Sequence, residues 1–518
     1  MKFVEEKAGW QTCRLSDVAK IVRGITFPTD AKRHEPLEGY IACLRTANVQ
    51  TKVEWGDLWY VPRRYVKNAE QYVRDGDVLI STANSYELVG KVARVNALTR
   101  EASLGAFISL FRAEVGMSDA YFFYLVSSEK IQRAIRGMAS TTTNLSNVSG
   151  AKLQELLLPI APPAEQIRIV DKLEELLSDL DAGVAELKAA QKKLAQYRQS
   201  LLKAAVEGRL TEAWRAQRGL ATDSEESGAQ LLARILRERR ARWEAKQLTK
   251  FKAQGKAPPQ GWQAAYPEPA MPDKADLPEL PSGWVWSAVG QCFYVGVGAT
   301  PSRKLPAYWN GETPWVSSGE VRFNRITATK EHISSSGLQN SSTRINPIGS
   351  VMLGMIGEGK TRGQVAILDV EAANNQNCAA IWVTETDIAP EFVYYWLWSR
   401  YDETRRGSSG NNQPALNKSI VEAIPFPVPP LNELTAIIEL VNAGMTEASN
   451  HDVALEYALR QSAAQRKNIL QSAFSGQLVA QDPNDEPASV LLAHIRAERG
   501  AQSQAGGASR RQRRVASE

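Results

Sequence analysis

The stretch from Glu165 to Val206, EQIRIVDKLEELLSDLDAGVAELKAAQKKLAQYRQSLLKAAV, constrains this chain most, because a second version of it runs from Glu433 to Phe474. Each copy follows a proline cluster, PIAPPAEQ at Pro159–Gln166 and PVPPLNEL at Pro427–Leu434, and each stops at a glycine, Gly208 in EGRL and Gly476 in SGQL. Proline ahead of the first turn and glycine past the last are helix start and stop signals. Each copy therefore reads as one helix of roughly 40 residues, a rod of about 60 Å at ~1.5 Å per residue. From Pro159 to Leu210 the copies keep a single offset of 268 residues without an insertion.

In the first copy Leu173, Leu177, Leu180, Val184, Leu187, Leu194 and Leu201 recur at steps of four and three, interrupted by Gln191 and Arg198. This heptad pattern calls for a partner helix. The second copy is weaker: Val441, Met445, Ala448, Leu455, Leu459 and Ile469 are apolar, but Asp452, Ser462 and Arg466 stand in the same register. Two matched rods in one chain make each other the expected partner. The alternative is an amphipathic helix lying on its own domain.

The duplication reaches beyond the rods. GWQTCRLSDVAKIVRGIT (Gly9–Thr26) aligns with GWVWSAVGQCFYVGVGAT (Gly283–Thr300), sharing the Gly-Trp start and a late glycine, Gly24 and Gly298. RDGDVLIS (Arg74–Ser81) matches PIGSVMLG (Pro347–Gly354), GKVARV (Gly90–Val95) matches GQVAIL (Gly363–Leu368), and AYFFYLVSS (Ala120–Ser128) meets EFVYYWLWS (Glu391–Ser399). The offset drifts from 274 to 268, as loop insertions between corresponding strands would make it do. Such self-similarity marks a tandem repeat, each half a compact domain followed by its rod. Within the domains, short β-branched and aromatic runs such as YIACLRTANV, DLWYVP, DVLIST, VGKVARV and GAFISLF read as strands. One helix is expected at Asp119–Arg136 and its counterpart at Pro390–Arg406. The fold class is α+β.

Residues 211–282 have no full counterpart. Ser227–Phe251 reads as a basic helix with Arg237, Arg239, Arg240 and Arg242, echoed by SVLLAHIRAER at Ser489–Arg499. Seven prolines between Ala257 and Pro281 make an extended linker. The segment Gly506–Glu518, with Arg510, Arg511, Arg513 and Arg514 among small residues, is expected to be disordered. Either Arg cluster could meet phosphate, against the plainer reading of a solvated face.

The organisation is then residues 1–158 and 281–426 as two compact domains, 159–212 and 427–478 as rods, 213–280 as charged helix and linker, and 479–518 as short helix and basic tail. At 518 residues the chain can bury several cores. A net charge of +5 permits nucleic-acid binding without demanding it. Cys13, Cys43, Cys292 and Cys378 are scattered without a CxxC, and His34, His332, His451 and His494 are equally dispersed. That spacing argues against a disulfide framework or zinc cluster and fits a reducing compartment. There is no secretory h-region and no long apolar run, so a cytoplasmic, non-membrane protein is expected.

GMIGEGKT, Gly354–Thr361, satisfies the spacing of a phosphate-binding loop. Such a loop needs a helix directly after its lysine, whereas TRGQVAILDV continues as a strand. No NPPF- or DPPY-like tetrapeptide of an amino-methyltransferase is present, histidines are few, and no paired-carboxylate constellation can be placed. No catalytic or metal-ligating residue is assigned.

Two variable domains, each followed by a proline-rich entry and a long helix closing in a Gly-x-Leu segment, strongly resemble the specificity subunit of type I restriction-modification enzymes. The most specific parts are PIAPPAEQIRIVDKLEELL with LLKAAVEGRLTEAWR, and PVPPLNEL with ILQSAFSGQL. The second copy departs from the pattern, with Asn432-Glu433-Leu434 where Glu-Gln is usual. The resemblance implies a non-catalytic, prokaryotic, cytoplasmic protein in which two target recognition domains are held by an antiparallel helix pair. Its implied partners are double-stranded DNA, two adenine-N6 methyltransferase subunits and two restriction/translocase subunits. S-adenosylmethionine, ATP and Mg²⁺ would belong to those partners, not to this chain.

Loops combining Lys or Arg for phosphates with side chains able to bond base edges are the DNA-binding candidates. In the first domain these are Arg45, Thr46 and Asn48; Ser81, Asn84, Ser85 and Lys91; and Ser140, Thr142 and Asn144. In the second they are Ser317, Ser318 and Glu320; Glu358, Lys360 and Arg362; and Ser408, Asn411, Asn412 and Gln413. A coiled-coil protein adaptor, or a nucleotide-binding enzyme working through Gly354–Thr361, are the competing functions.

Overall fold

Both rods form. In the computed structural model Pro163–Val206 and Leu431–Phe474 are each one continuous helix. The structure describes residues 7–142, 145–218, 226–272, 277–357, 360–406 and 416–515, with backbone alone at 218, 406 and 502–515. Contacts divide the chain into two units, Met1–Lys188 with Glu456–Glu518, and Ala189–Leu455. Each rod helix gives one part of its length to each unit.

In the first unit, β1 (Gln11–Arg14) pairs antiparallel with β12 (Leu157–Ile160), so the strand that opens the domain is hydrogen-bonded to the strand that enters the rod. The main sheet is antiparallel, in the order β2 (Ala19–Arg23), β9 (Ile108–Ala113), β5 (Val78–Ser81), β7 (Val92–Arg94). A second sheet sets β4 (Trp59–Pro62) and β8 (Ala102–Leu104) on either side of β3 (Tyr40–Leu44), with β3 and β8 parallel. A small third sheet joins β6 (Ala83–Asn84), β11 (Ser146–Asn147) and β10 (Ser140–Thr141). The largest core packs Phe111, Tyr121, Phe122 and Leu125 against the rod residues Ile169, Leu173 and Leu177, with Ala473 and Phe474 of the other rod.

The second unit repeats this plan. β13 (Val285–Ala288) pairs with β22 (Pro425–Val428) at the rod entry. The main sheet runs β14 (Tyr294–Val297), β21 (Cys378–Trp382), β18 (Val351–Gly354), β19 (Val365–Leu368), β16 (Asn324–Ile326). A second sheet sets β17 (Glu331–Ile333) and β20 (Ala373–Asn374) beside β15 (Trp309–Val316). Its core joins Phe293, Phe392 and Phe426 to Leu202 and Val206 of the first rod and Leu434, Ile437 and Val441 of the second.

The features that the two halves share acquire physical reasons. The Gly-Trp start places an indole on the rod: Trp10 Nε1 donates to Glu165 Oε2 at 3.0 Å, and Trp284 Nε1 to Glu433 Oε2 at 2.9 Å. The late glycines are sites of backbone contact, since a Cβ at Gly24 would lie 2.2 Å from the Gly105 carbonyl oxygen, and one at Gly298 1.9 Å from that of Asn374. All four cysteines are free and buried.

The helix pair is antiparallel, its residue numbers rising along one rod as they fall along the other. In the second unit Arg198 pairs with Asp452, Leu201 packs at Gly444, and Arg215 reaches Glu433. In the first unit Arg466 pairs with Asp181. Leu173, Leu177, Leu201 and Val441 are buried, while Leu180, Val184, Leu187, Leu194, Met445, Leu455, Leu459 and Ile469 are half-buried, as a two-stranded seam leaves them. Some of the polar residues that interrupt the heptads bond across the seam: Arg198 and Arg466, 268 residues apart, each take an Asp of the opposite rod, whereas Ser462 bonds the Ala458 carbonyl of its own helix.

Two expectations are corrected. The single helix expected at Asp119–Arg136 is two, Asp119–Ser127 and Glu129–Met138, because Ser128 is extended at ψ 144° and starts a new helix. Its counterpart likewise divides into Pro390–Ser399 and Tyr401–Arg406. The tail expected to be disordered continues the C-terminal helix, Ala488–Val515. Its Ala, Gln and Arg are good helix formers, and the preceding anchored turns supply the nucleus.

Candidate nucleic-acid interface

The first candidate loop follows β3. Asn48 is 2% exposed and all its polar capacity goes into that loop: Oδ1 accepts from the Arg45 amide at 2.9 Å, and Nδ2 donates to the carbonyls of Glu54 and Gly56 at 2.9 and 3.0 Å. The counterpart loop follows β15. There Glu320 Oε2 accepts from the amide and hydroxyl of Ser317, both at 2.8 Å, and Oε1 from the Lys330 amide at 2.9 Å. Asn48 and Glu320 thus brace their own loops. Arg45 is held by Asp57 and lies over the Trp59 ring at 5.2 Å.

The next two candidate loops of the first domain come together. β6 and β11 pair Asn84 with Ser146, and β10 and β11 pair Ser140 with Asn147, so the segments around 81–85 and 140–142 share one small sheet. Ser81 is 1% exposed and accepts from Asn84 Nδ2 at 3.3 Å, which corrects its expected place on the surface. Lys91 Nζ donates to Gln50 Oε1. Thr142 closes its turn on the Leu145 carbonyl, and Ser140 Oγ accepts from Lys152 at 3.1 Å. Ser85, Ser140 and Thr142 are exposed. Asn144 lies outside the described residues, as do Glu358, Ser408, Asn411, Asn412 and Gln413.

In the second domain Lys360 is exposed and its carbonyl accepts from the Tyr401 hydroxyl at 2.8 Å, while Arg362, Ser317 and Ser318 are half-buried. The segment after Lys360 is a turn leading into β19, so no helix follows to receive a phosphate. Glu358 and Gly359 of this motif lie outside the described residues.

Reading the sequence misses a second class of surface group, cations over aromatic rings. Lys32 sits 4.4 Å from the Trp59 ring centre, near Phe27 and Tyr65. Arg303 sits 4.2 Å from Trp309 and 5.6 Å from Trp315, held by Glu331. Each patch lies on the second sheet of its domain. Also missed is the turn between β8 and β9, where Phe107 is 63% exposed and its carbonyl accepts from the Thr82 amide beside the small sheet. The corresponding turn of the other domain holds Gln376, bonded to Thr300 at 2.6 Å. Lys32 and Trp59 are far apart in sequence, and Arg303 meets Trp309 only through the short turn at Pro306–Tyr308, so no spacing signals either contact.

Among the described residues no three His, Cys, Asp or Glu gather as metal ligands, and no helix is long and apolar enough to cross a membrane.

The family model described as type I restriction modification DNA specificity domain matches residues 7–189 and 281–443. The chain is 30% identical over 208 residues to the specificity subunit of type I restriction enzyme EcoKI of Escherichia coli (strain K12), covering 40% of this chain and 44% of that one. It is 32% identical over 213 residues to the StySPI specificity subunit of Salmonella potsdam, covering 41% and 46%. These matches span less than half the length of those relatives. In fold it is similar to a solved chain from work on complex assembly and conformational transition of the type I R-M system, with a TM-score of 0.61 and 16% identity over 91% of this chain and 99% of that one. The chain belongs to the type I restriction-modification DNA specificity family, with two copies of its domain.

Proposed function

We propose that this chain is the sequence-specific DNA-binding subunit of a type I restriction-modification enzyme and reads a bipartite, asymmetric target. The observation that carries the reading is a duplicated domain whose two copies share a framework but carry unlike loops, each copy joined to one of two antiparallel rods. Equivalent domains on a paired scaffold suit a duplex read at two short patches with an unread spacer, and unlike loops suit unlike half-sites. Exposed Ser85, Ser140, Thr142 and Lys360, with Lys32 and Arg303 over their rings, are the groups assigned to the duplex. Phosphates take the cations, and base edges take the hydroxyls.

The chain itself does no chemistry in this reading. It docks two adenine-N6 methyltransferase subunits and two restriction/translocase subunits, which bring S-adenosylmethionine, ATP and Mg²⁺. Lys360 serves DNA, not a nucleotide; ATP binding by the purified chain that disappears in Lys360→Ala would overturn that role.

The test is selection of bound duplexes from a random pool by the full chain assembled with its methyltransferase partner. Enrichment of one split, asymmetric motif, with affinity falling steeply as salt rises, is the expected result. A pool that stays random at low salt would sink the reading in favour of a protein adaptor.

A further inference from the structure

The insert helix Gly228–Ala253 and the C-terminal helix Ala488–Val515 are anchored in the same way. Leu231 and Ile235 are buried in the core of the second unit, and Leu491 and Ile495 in that of the first. Arg239 donates to the carbonyls of Gly290 and Phe293, and Arg499 to the carbonyl of Ser16 and to Glu114. Ser16 and Gly290 are equivalent positions, 274 residues apart. Both helices therefore leave their domains at the same place in the repeat.

Past these anchors both helices turn basic. Residues 240–256 hold six Lys or Arg against one Glu, and residues 500–515 hold four Arg and no acid. The whole chain is only +5, so everything outside the two extensions is net negative. In the first extension Arg240 and Arg242 are engaged with Glu244, Glu268 and Glu385. Lys246, Lys250, Lys252 and Lys256 are exposed and have no ion-pair partner among the described residues.

This extension also carries its own support. Trp262 stacks on Trp243 at 5.7 Å, and Tyr266 and Phe251 meet the same pair edge-on at 5.4 and 5.9 Å, folding the following segment back along the helix. Its aromatic rings pack on one another in the hairpin, and what faces solvent is four ammonium groups with a single large apolar side chain on the helix, Leu248, among them, not an apolar stripe. A protein groove would ask for an apolar stripe on that face, whereas phosphate asks for cations alone.

We propose that the two extensions are clamps for the phosphate backbone of duplex DNA, gripping it without regard to sequence outside the base-reading loops. The inference rests on the DNA-reading function proposed above and adds contacts that this function does not require. Four lysines contributing ~0.9 each to the logarithmic salt slope lower it by about 3 to 4 when removed, roughly a 100-fold change in relative affinity between 50 and 200 mM salt.

The experiment compares the full chain with two variants, one carrying Lys246→Gln, Lys250→Gln, Lys252→Gln and Lys256→Gln, the other with Arg510, Arg511, Arg513 and Arg514 changed to Gln. Binding to a target duplex and to a scrambled duplex of equal length is measured across a salt series, with circular dichroism as the check on folding. A reduced slope on both duplexes, with the preference for target over scramble unchanged, supports the clamps. An unchanged slope overturns them, and so does a loss confined to the target duplex or a loss of partner-subunit binding alone. A wild-type chain that shows no preference for any duplex refutes the specificity reading, while its salt slope still decides the clamps.

Discussion

The two domain-to-rod joints look alike in sequence but are built with unequal strength, and Glu433→Gln against Glu165→Gln exposes the difference. Glu433 is 1% exposed and both its oxygens are used: Oε2 accepts from Trp284, and Oε1 from Thr211 at 2.6 Å and from the Arg215 guanidinium. Glu165, equally buried, accepts from Trp10 on Oε2, while its Oε1 has no hydrogen-bond partner among the described residues. Glutamine at 433 keeps one acceptor but strips Arg215 of its counter-charge. A hydrogen bond to a charged group is worth ~1.5–3 kcal/mol, and partial exposure of Arg215 places the loss near 2 kcal/mol. Glutamine at 165 removes a buried charge that lacks a full set of donors, so its net effect lies within about 1 kcal/mol of zero. Native-state hydrogen exchange followed on peptides spanning 283–300 and 427–445, against 9–26 and 157–175, reads the two joints separately. At 1.36 kcal/mol per decade, Glu433→Gln speeds exchange about 30-fold around its joint, with little change for Glu165→Gln around the other. Equal losses, or a larger loss at 165, would refute the reasoning.

The cross-rod pair Arg198–Asp452 should show charge-reversal rescue: Arg198→Asp costs ~1 kcal/mol in chemical unfolding, and adding Asp452→Arg restores most of it. Gly444→Ala should cost ~1–3 kcal/mol in the same assay, since its Cβ would come within 2.7 Å of Leu201 Cδ2, and pairing it with Leu201→Val should recover part of the loss. Burial lifts the Glu165 carboxyl above its usual value of 4.5, so the folded state holds that proton more tightly than the unfolded. Its contribution is fully present below about pH 4.5 and is lost as pH rises through the folded value; exchange protection of the first joint falls over that window in wild type and not in Glu165→Gln.

The rods and the duplication were legible because both are periodic. Heptad spacing, the paired proline and glycine boundaries and the constant offset are properties of order along the chain. The register of the helix pair was not: Arg198, Asp452 and Arg466 read as flaws in a seam, and they become partners only once antiparallel pairing sets them opposite Asp452, Arg198 and Asp181. The polar loops were also visible, yet residue type alone could not separate Asn48 and Glu320, turned inward to close their own turns, from Ser85 and Lys360, turned out to solvent. Such capping depends on local backbone angles. Lys32 over Trp59, and Arg303 over Trp309 and Trp315, carry no sequence signal, because an isolated bridge between Arg33 and Tyr60 brings the first pair together and the short turn at Pro306–Tyr308 the second.

The most direct measurement is a genome-wide map of adenine methylation in cells carrying this chain with the methyltransferase subunit proposed as its partner, beside cells in which the chain is deleted and cells with residues 1–158 or 281–426 exchanged separately. We expect one split, asymmetric motif to lose methylation on deletion, and each exchange to change one half of that motif while the other half stays. Methylation that is unchanged by deletion while the partner remains active, or an exchange that alters both halves at once, would contradict the assignment of one half-site to each domain.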